Sequence, residues 1–570
     1  MANLFAAAKF IFLRSSYPLP SSACTSPRRS SLLHSKKATI NPITNHSDQV
    51  HPHDNTRDTA SRRDLLVGLG GLYGTGLTAN RKVLGQPIQP PDIYQCDPAD
   101  VPGAEPINCC PPQTQSIIEF QAPPSTDPLR IRPAAHLVDS DYIAKYTRAV
   151  QLMKDLPADD PRNFFQQANT HCSYCDGAYD QVGYPGLELQ IHSCWLFLPW
   201  HRFFLYFHER ILGNLIGDNT FALPFWNWDS PDGMQLPSMY VDSSSSLYDP
   251  QRDPDHQPPA TIDLDFSLDT TTNTSQQVIE DNLNIVYRQI ISNGETPELF
   301  LGSAFRGGDQ PNPGAGSLEL QPHNIVHSWT GDSRQPNRED MGVFYSAARD
   351  PIFFAHHANV DRLWLFWKSL GGLHQDFTDT DWLDAAFLFY DENAQLVRVK
   401  VRDCLDTDVL RYAYQDVQNQ WITWKPVPSG TGSAVPPATE PSFPVALELE
   451  NVTATVARPP SSGRTGDEVE VLIVEGIELD ETAPTKFDVY VNLSSDSELK
   501  PAVAQCVGSF THVPHLHPEG VDSAVTTRLQ MGITELLNDL GVGDDDNVVV
   551  TLVPRYGTLT IAGLSIVLVS

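Results

Sequence analysis

The sequence predicts a mainly α-helical domain followed by a separate all-β domain. Amphipathic runs such as 201–212 and 358–368 have apolar residues at the three- and four-residue spacing of helices. After residue 444 the pattern changes to short runs of apolar and β-branched residues, which favour strands; the clearest are 468–475, 486–493, 547–554 and 558–569. We therefore expect a helical domain at 87–425 and a C-terminal β-sandwich, the β-domain, at 445–570.

Residues 426–444 separate the two domains and are rich in Pro, Gly, Ser and Thr. This composition is typical of an exposed linker that proteases can cut. The histidines of the later segment 511–520 (His512, His515 and His517) are interpreted as part of a solvated turn.

The first 86 residues are predicted to be targeting sequence. Residues 1–47 contain many Ser, Lys and Arg but no Asp or Glu, the composition of an organellar transit peptide. Arg62 and Arg63 then precede a Gly-rich apolar stretch, 65–79, the arrangement of a twin-arginine export signal. The stretch is too short and too rich in glycine for a stable membrane span. We expect a chloroplast transit peptide at 1–60 and a transfer signal for the thylakoid lumen at 61–86.

The remaining chain is strongly acidic. Residues 87–570 hold 27 Lys and Arg against 66 Asp and Glu. A surface of this charge argues against nucleic acid or anionic membranes as partners.

Six histidines form two triplets in the helical domain: His171, His192 and His201, then His323, His327 and His357. Three neutral imidazoles suit copper, zinc, iron or nickel, and they leave coordination positions open. Two triplets within one domain predict a binuclear centre that holds a small molecule between its metals.

The spacing of these histidines predicts how helices present them. His323 and His327 are four residues apart and share a helix face. His192 and His201 would lie on opposite faces of a continuous helix, but we expect Pro199 to break it. Ligands that converge from four helices are typical of dimetal sites in bundles, so a four-helix bundle with long loops is predicted.

The histidine pattern does not match a zinc-protease site. The zinc-protease signature requires Glu directly after its first histidine, and Asn324 stands there. His208 and His356 are assigned to ordinary core or surface positions, His356 because its neighbour His357 fits the second triplet better.

Several blocks of the chain resemble the plant polyphenol oxidases, the tyrosinase and catechol oxidase family of type-3 copper proteins. They are HCSYC (171–175), QPHNIVH (321–327), FFAHHANVDR (353–362), DWLDA (381–385) and KFDVYVN (486–492). The resemblance covers nearly the whole chain. It implies that each histidine triplet binds one copper ion.

The cysteines fit an oxidising compartment. Cys109 and Cys110 are adjacent and would pair together only with strain, so each is expected to pair elsewhere. The family resemblance implies the disulfides Cys96–Cys110 and Cys109–Cys172. It also implies a thioether between Cys175 and His192.

The resemblance implies copper-dependent oxidation of o-diphenols to o-quinones by O2, with ortho-hydroxylation of monophenols. A free phenol has a pKa near ~10, so a monophenol benefits from a base. The family pattern places that role on Glu319 and Asn324, which orient a deprotonating water, and places Phe344 as a gate above the second copper. It also implies that the β-domain covers the site of a latent proenzyme until processing proteases cut the linker.

Two other functions stay open. An O2 carrier would use the same dicopper centre without turnover, although plastid targeting disfavours it. A pathway-specific hydroxylase of a lignan or aurone precursor would share every motif above. The expected partners are O2 and small phenols, and the sequence leaves the oligomeric state open.

Overall fold

The computed structural model describes residues 85–99, 107–268, 274–426, 435, 438–460, 463, 468–494, 499–516 and 523–569. The transit peptide predicted at 1–60, most of the transfer signal at 61–86 and much of the linker lie outside these residues. No helix in the described part of the chain is long and apolar enough to cross a membrane.

Ten α-helices occur in the described residues. In chain order they are α1 Ser140–Lys154, α2 Phe164–Cys175, α3 Phe197–Ile216, α4 Ser275–Tyr287, α5 Pro297–Leu301, α6 Asn324–Thr330, α7 Phe344–Ala347, α8 Ile352–Ser369, α9 Thr380–Leu383 and α10 Thr534–Asp539. Four of the six predicted metal ligands lie in helices: His171 in α2, His201 in α3, His327 in α6 and His357 in α8. His323 directly precedes α6. The prediction of a mainly helical domain with long loops is confirmed.

The central helices are stabilised by large apolar side chains. In α3, sixteen of twenty residues are buried, including Trp200 and Phe204. In α8, the side chains of Trp364 and Trp367 are fully buried. Burying aromatic surface of this size contributes about 1.5–3 kcal/mol per side chain. The helices that carry ligands therefore form a rigid support.

The segment between His192 and His201 differs from the prediction. Helix α3 begins at Phe197, so Pro199 lies in its first turn and does not break it. Proline is tolerated there because the first turn needs no backbone N–H. His192 lies on the irregular segment before the helix, next to Ser193 with φ 53°. The two histidines are therefore free to converge.

Short sheets border the helices. They use strands β1 Ile117–Glu119, β2 Arg130–Arg132, β3 Asp180–Gln181, β4 Tyr184–Glu188, β5 Ala386–Tyr390, β6 Leu396–Lys400 and β7 Tyr412–Tyr414. The strand order is β1-β6-β5 in one sheet, with the pairs β2-β7 and β3-β4 elsewhere.

The β-domain is a sandwich of two four-stranded antiparallel sheets, as predicted. Its strands are β8 Val445–Leu447, β9 Val452–Ala457, β10 Val469–Asp480, β11 Thr485–Val491, β12 Cys506–His512, β13 Ala524–Gly532, β14 Asn547–Tyr556 and β15 Leu559–Val569. One sheet has the order β13-β10-β15-β8 and the other β12-β11-β14-β9.

One sheet of the β-domain packs directly on the helical domain. Every residue of β11 and β12 is buried, whereas a two-layer sandwich normally leaves alternate residues of each strand facing water. Leu320 of the helical domain joins the apolar core of the sandwich, and Val513 of the β-domain joins the helical core. A Cβ on Gly532 would lie 2.6 Å from the backbone oxygen of Ser292, so glycine permits this close approach.

Candidate metal centre

The first histidine triplet converges. The ligand atoms of His171, His192 and His201 lie within 4.8 Å of one another, and all three residues are buried. His171 Nδ1 lies 3.0 Å from the backbone oxygen of Phe344, and His201 Nδ1 lies 2.9 Å from that of Phe197. A carbonyl accepts a hydrogen bond from the protonated Nδ1, so Nε2 keeps its lone pair for a ligand role. Both Nε2 atoms are buried without a hydrogen-bond partner, as are both ring nitrogens of His192.

The second triplet has the same design. His327 Nδ1 lies 2.8 Å from the Met341 carbonyl, and His323 Nδ1 lies 2.9 Å from Asn324 Oδ1. The Nε2 atoms of these two histidines lie 3.4 and 3.5 Å from His357 Nε2. Lone pairs that face one another at this distance repel, and a shared cation removes the repulsion. The converging ring nitrogens of each triplet therefore fit one metal ion.

The two triplets are neighbours. The His201 and His357 rings stack in parallel with centroids 4.1 Å apart, and the His192 and His323 centroids are 6.2 Å apart. Burial lowers the pKa of His201 to about 3 and of His327 to about 4, and it lowers the pKa of the other four well below the ordinary range. Neutral imidazole is the form that binds metal. Two sites of three imidazoles side by side suit a pair of copper ions.

His356 lies beside the second triplet, although the sequence predicted only an ordinary core or surface residue there. Its ring centroid is 5.1 Å from those of His323 and His327, and it can reach the same metal position. However, its Nδ1 accepts a hydrogen bond of 3.1 Å from Trp228 Nε1. The closer Nε2 approach of His357 favours His357 as the ligand. His208 stacks on Phe354 in the core, with centroids 3.5 Å apart.

The structure brings the predicted cysteine partners together. Cys96 is bonded to Cys110 and Cys109 to Cys172, which ties the N-terminal arm to the residue after His171. Cys175 is a buried thiol at the end of α2, and burial raises its pKa.

Gln190, for which the sequence predicted no role, bridges the backbones of the two predicted thioether partners. Its Nε2 donates to the Cys175 carbonyl at 3.1 Å, and its Oε1 accepts from the His192 backbone N–H at 2.9 Å. An amide with both ends engaged fixes the spacing of the two backbones. Position 190 carried no sequence signal, because its role depends on the loop conformation.

Glu319, Asn324 and Phe344 all border the same cavity as His192. Glu319 Oε1 accepts from the Ser193 N–H at 2.6 Å, while its Oε2 is buried without a hydrogen bond. Burial raises the pKa of Glu319 to about 8. The Phe344 ring stacks on His192 of the first triplet, with centroids 4.1 Å apart, and lies 5.4 Å from that of His327. Phe344 therefore lies between the triplets.

Two helices that carry ligands are fixed to each other behind the centre. Arg202, next to His201, donates to Asp361 at 2.6 Å, and Asp361 lies one turn after His357 on α8. Arg132 and the hydroxyls of Tyr412 and Tyr414 complete the hydrogen bonds to this carboxylate. Because the buried charges are paired and hydrogen-bonded, the separation of α3 and α8 is well defined.

The β-domain covers the centre. His515 is buried, with its ring centroid 4.6 Å from that of Phe344 and 5.9 Å from that of His192. His512 is also buried, so the prediction of a solvated turn is wrong for these two residues; His517 lies outside the described residues. The packing of the β-domain against the helical domain displaces water from this segment. The space left between the domains here is about 20 Å³, enough for a single water but not for a phenol.

Comparisons with known proteins agree with this architecture. Family models match residues 161–370, described as the common central domain of tyrosinase, residues 376–427, a polyphenol oxidase middle domain, and residues 443–568, a chloroplastic polyphenol oxidase C-terminal domain.

Whole-length relatives are also similar. The chain is 51% identical over 539 residues to the chloroplastic polyphenol oxidase of Malus domestica, covering 90% of each chain. It is 51% identical over 508 residues to aureusidin synthase of Antirrhinum majus, covering 86% of this chain and 90% of the relative. The solved structure of latent apple tyrosinase matches with a TM-score of 0.76 and 52% identity, over 80% of this chain and all of that one.

Proposed function

The chain belongs to the plant polyphenol oxidases of the tyrosinase family, and we propose that its two histidine triplets are the ligand sets of the copper pair. Members of this family are copper enzymes that oxidise o-diphenols to o-quinones with O2, and this is the activity of the chain. When bound, a copper pair would carry electrons from the diphenol to O2. His171, His192 and His201 hold one ion, and His323, His327 and His357 hold the other.

The side chains around the centre orient these ligands. Four of the six imidazoles point Nδ1 at an oxygen within 3.0 Å, which presents Nε2 to the metal. Gln190 holds Cys175 beside His192, and the thioether we propose between them would stop rotation of that ring. The disulfides Cys96–Cys110 and Cys109–Cys172 anchor the arm that leads to α2.

We assign to Glu319 and Asn324 the removal of the phenol proton, which precedes the hydroxylation of monophenols. The hydroxyl of a monophenol must lose its proton before the ring carbon ortho to it can be oxygenated. An unperturbed phenol keeps this proton at neutral pH. Glu319 Oε2 and Asn324 border one cavity. Once the β-domain has left and Asn324 Nδ2 is released from Thr511, the two side chains can hold a water that receives this proton. Phe344 stacks on His192 and limits how a substrate ring enters.

The β-domain keeps the intact chain latent in this proposal. The observation that carries it is the space of about 20 Å³ left over the centre, because a phenol cannot enter while His515 lies there. Asn324 is also engaged: its Nδ2 donates to the Thr511 carbonyl of β12 at 2.7 Å. Cleavage of 426–444 by processing proteases would free the domain to leave.

The test compares O2 uptake with catechol before and after limited cleavage between Val427 and Pro444. We expect a rise in activity with unchanged copper content. An intact chain as active as the cleaved one would show that the β-domain has another role.

The relatives locate the chain in the chloroplast, and we propose the thylakoid lumen as its final compartment. The support is the Arg62-Arg63 pair before an apolar stretch. Import into isolated chloroplasts should give lumenal protein, and replacing both arginines by lysine should retain it in the stroma. Lumenal accumulation of the lysine variant would refute the signal.

A pathway-specific hydroxylase is the second candidate, supported by the similarity to aureusidin synthase. The centre would be the same, and only the substrate range would differ. A panel of simple and pathway-specific mono- and diphenols separates the two, because a specialised enzyme strongly prefers one of them.

A further inference from the structure

Asn312 lies on the wall of the metal-centre cavity without a role in the mechanism above. It lines this cavity with His192, Glu319, Asn324 and Phe344, and only 4% of its surface is exposed. Its φ of 59° is left-handed, a conformation that Asn tolerates better than most residues. The loop is held in place because the Gly314 N–H donates to the Ser193 carbonyl at 2.9 Å.

The β-domain occupies the Asn312 amide in the intact chain. Asn312 Nδ2 donates to Oε1 of Glu481 at 3.0 Å, and Asn312 Oδ1 is buried without a hydrogen bond. Glu481 follows strand β10 and leaves with the β-domain. The amide then remains on the wall of an open cavity, and an unpaired polar group there gains from a new partner.

Glu481 and His515 together have the shape of a ring with an acidic tail. The aromatic ring of His515 lies over the centre, 4.6 Å from Phe344 between ring centroids. Its Nδ1 lies 3.7 Å from Glu481 Oε1, the oxygen that contacts Asn312. At ~1.5 Å per carbon–carbon bond, one or two carbons between a phenyl ring and a carboxylate span this distance.

We propose that Asn312 is a specificity-determining residue that binds the carboxylate of phenols with a short acidic side chain. The inference rests on the proposed function, because it needs the β-domain to vacate the cavity. The Nδ2 donor that holds Glu481 would hold the substrate carboxylate in the same way. Hydrogen bonds to an ionised acceptor are stronger than neutral ones, so one amide is enough for a measurable preference.

Two variants suit the left-handed backbone: Asn312→Gly removes the amide, and Asn312→Asp replaces the donor with a repelling carboxylate. The copper-loaded chain, opened by cleavage of 426–444, is assayed with dihydrocaffeate, a catechol with a propionate tail, and with neutral 4-methylcatechol. We expect kcat/KM for dihydrocaffeate to fall about tenfold in Asn312→Gly, through KM, and further in Asn312→Asp. The values for 4-methylcatechol should change less than about twofold.

The matched control is Glu481→Gln, which alters the β-domain side of the same contact and should leave the opened enzyme unchanged with both substrates. Equal losses with the acidic and the neutral catechol would overturn the proposal, since they would indicate a structural role for Asn312.

A binding measurement separates this proposal from the proposed function. Calorimetry with 3-phenylpropionate, which has no ring hydroxyl to oxidise, should give a dissociation constant about tenfold weaker in Asn312→Gly than in the unaltered opened chain. An identical dissociation constant refutes the role of Asn312 even if catechols are oxidised. A chain that oxidises neither catechol refutes the proposed function, while calorimetry still decides the binding role.

Discussion

Lys486 connects the two domains through a buried charge. Its Nζ is fully buried on strand β11 and donates to the backbone oxygen of Asp265 at 2.6 Å, to Asp265 Oδ1 at 2.8 Å and to Ser267 Oγ at 3.1 Å. Both acceptor residues belong to the helical domain. Lys486→Met keeps the length of the side chain but removes every one of these bonds.

The expected cost follows from the full burial of the Lys486 side chain. Removing one partner of a buried ion pair costs about 3–5 kcal/mol, because the other charge is left without compensation. Here the Asp265 side chain is 22% exposed, and desolvation raises its pKa to about 7. The carboxyl can therefore reach water or take up a proton, and either change offsets part of the cost. We therefore expect the docked state to lose about 2–3 kcal/mol, which at 1.36 kcal/mol per factor of ten is roughly a 30- to 150-fold shift toward the open state.

Lys425 is the matched control. It also joins the domains, with Nζ 2.8 Å from both Glu535 Oε1 and Asp539 Oδ1, but its side chain is 39% exposed. An exposed ion pair contributes about 0–1 kcal/mol, so Lys425→Met should shift the equilibrium less than about fivefold.

The assay is catechol oxidation by the intact, copper-loaded chain, expressed relative to the same chain after linker cleavage. Lys486→Met should raise the activity of the intact chain by more than tenfold. A detergent that displaces the β-domain should also reach half of its activating effect at a lower concentration in this variant. Lys425→Met should change little, and all cleaved forms should be equally active. The reasoning is refuted if Lys486→Met stays as latent as the unaltered chain, or if both lysine variants respond equally.

Three further predictions follow from the structure. Cys175 should be joined to His192 by a bond that survives reduction, whereas the two disulfides should not survive it; peptide mass mapping that recovers alkylated Cys175 from copper-loaded enzyme would count against the link. Asn324→Gly should lower the ratio of monophenol to diphenol oxidation in the cleaved enzyme, because only monophenols need the proton acceptor, and equal losses of both activities would instead indicate a structural role. Burial, with Asp350 nearby, raises the pKa of Asp249 from 3.8 to about 8, so the folded state binds this proton more tightly and its stability falls as the pH rises between those values. Asp249→Asn should therefore stabilise the chain by about 3.5–4 kcal/mol more at pH 8 than at pH 5, because the interval covers about three units at 1.36 kcal/mol each. Thermal unfolding with the same gain at both pH values would contradict this.

The sequence predicted the features that depend on local pattern. The i, i+4 spacing of His323 and His327 gave their shared face, and the strand-like runs after residue 444 gave a sandwich. Their observed strands, such as 469–480 and 547–556, extend the predicted runs by a few residues. Strands β8, β9, β12 and β13 were not among the predicted runs, because packing against neighbouring strands, more than local sequence, decides whether such segments form strands.

Features that depend on the docking of the two domains could not be predicted in this way. His515 was assigned to a solvated turn, because a histidine in a loop is usually exposed. Its burial comes from contacts with Phe344, which is distant in the sequence. The same holds for Asn312 and Glu481, whose contact joins residues 169 positions apart. Side-chain pairs of this kind carry no periodic signal.

Metal content measured on purified chain tests the central claim most directly. We predict two copper ions per chain, one for each triplet in which the ligand nitrogens converge within 4.8 Å. His201→Ala and His323→Ala should each lower the copper content and abolish catechol oxidation. Stoichiometric zinc in place of copper, or full activity in either variant, would contradict the account.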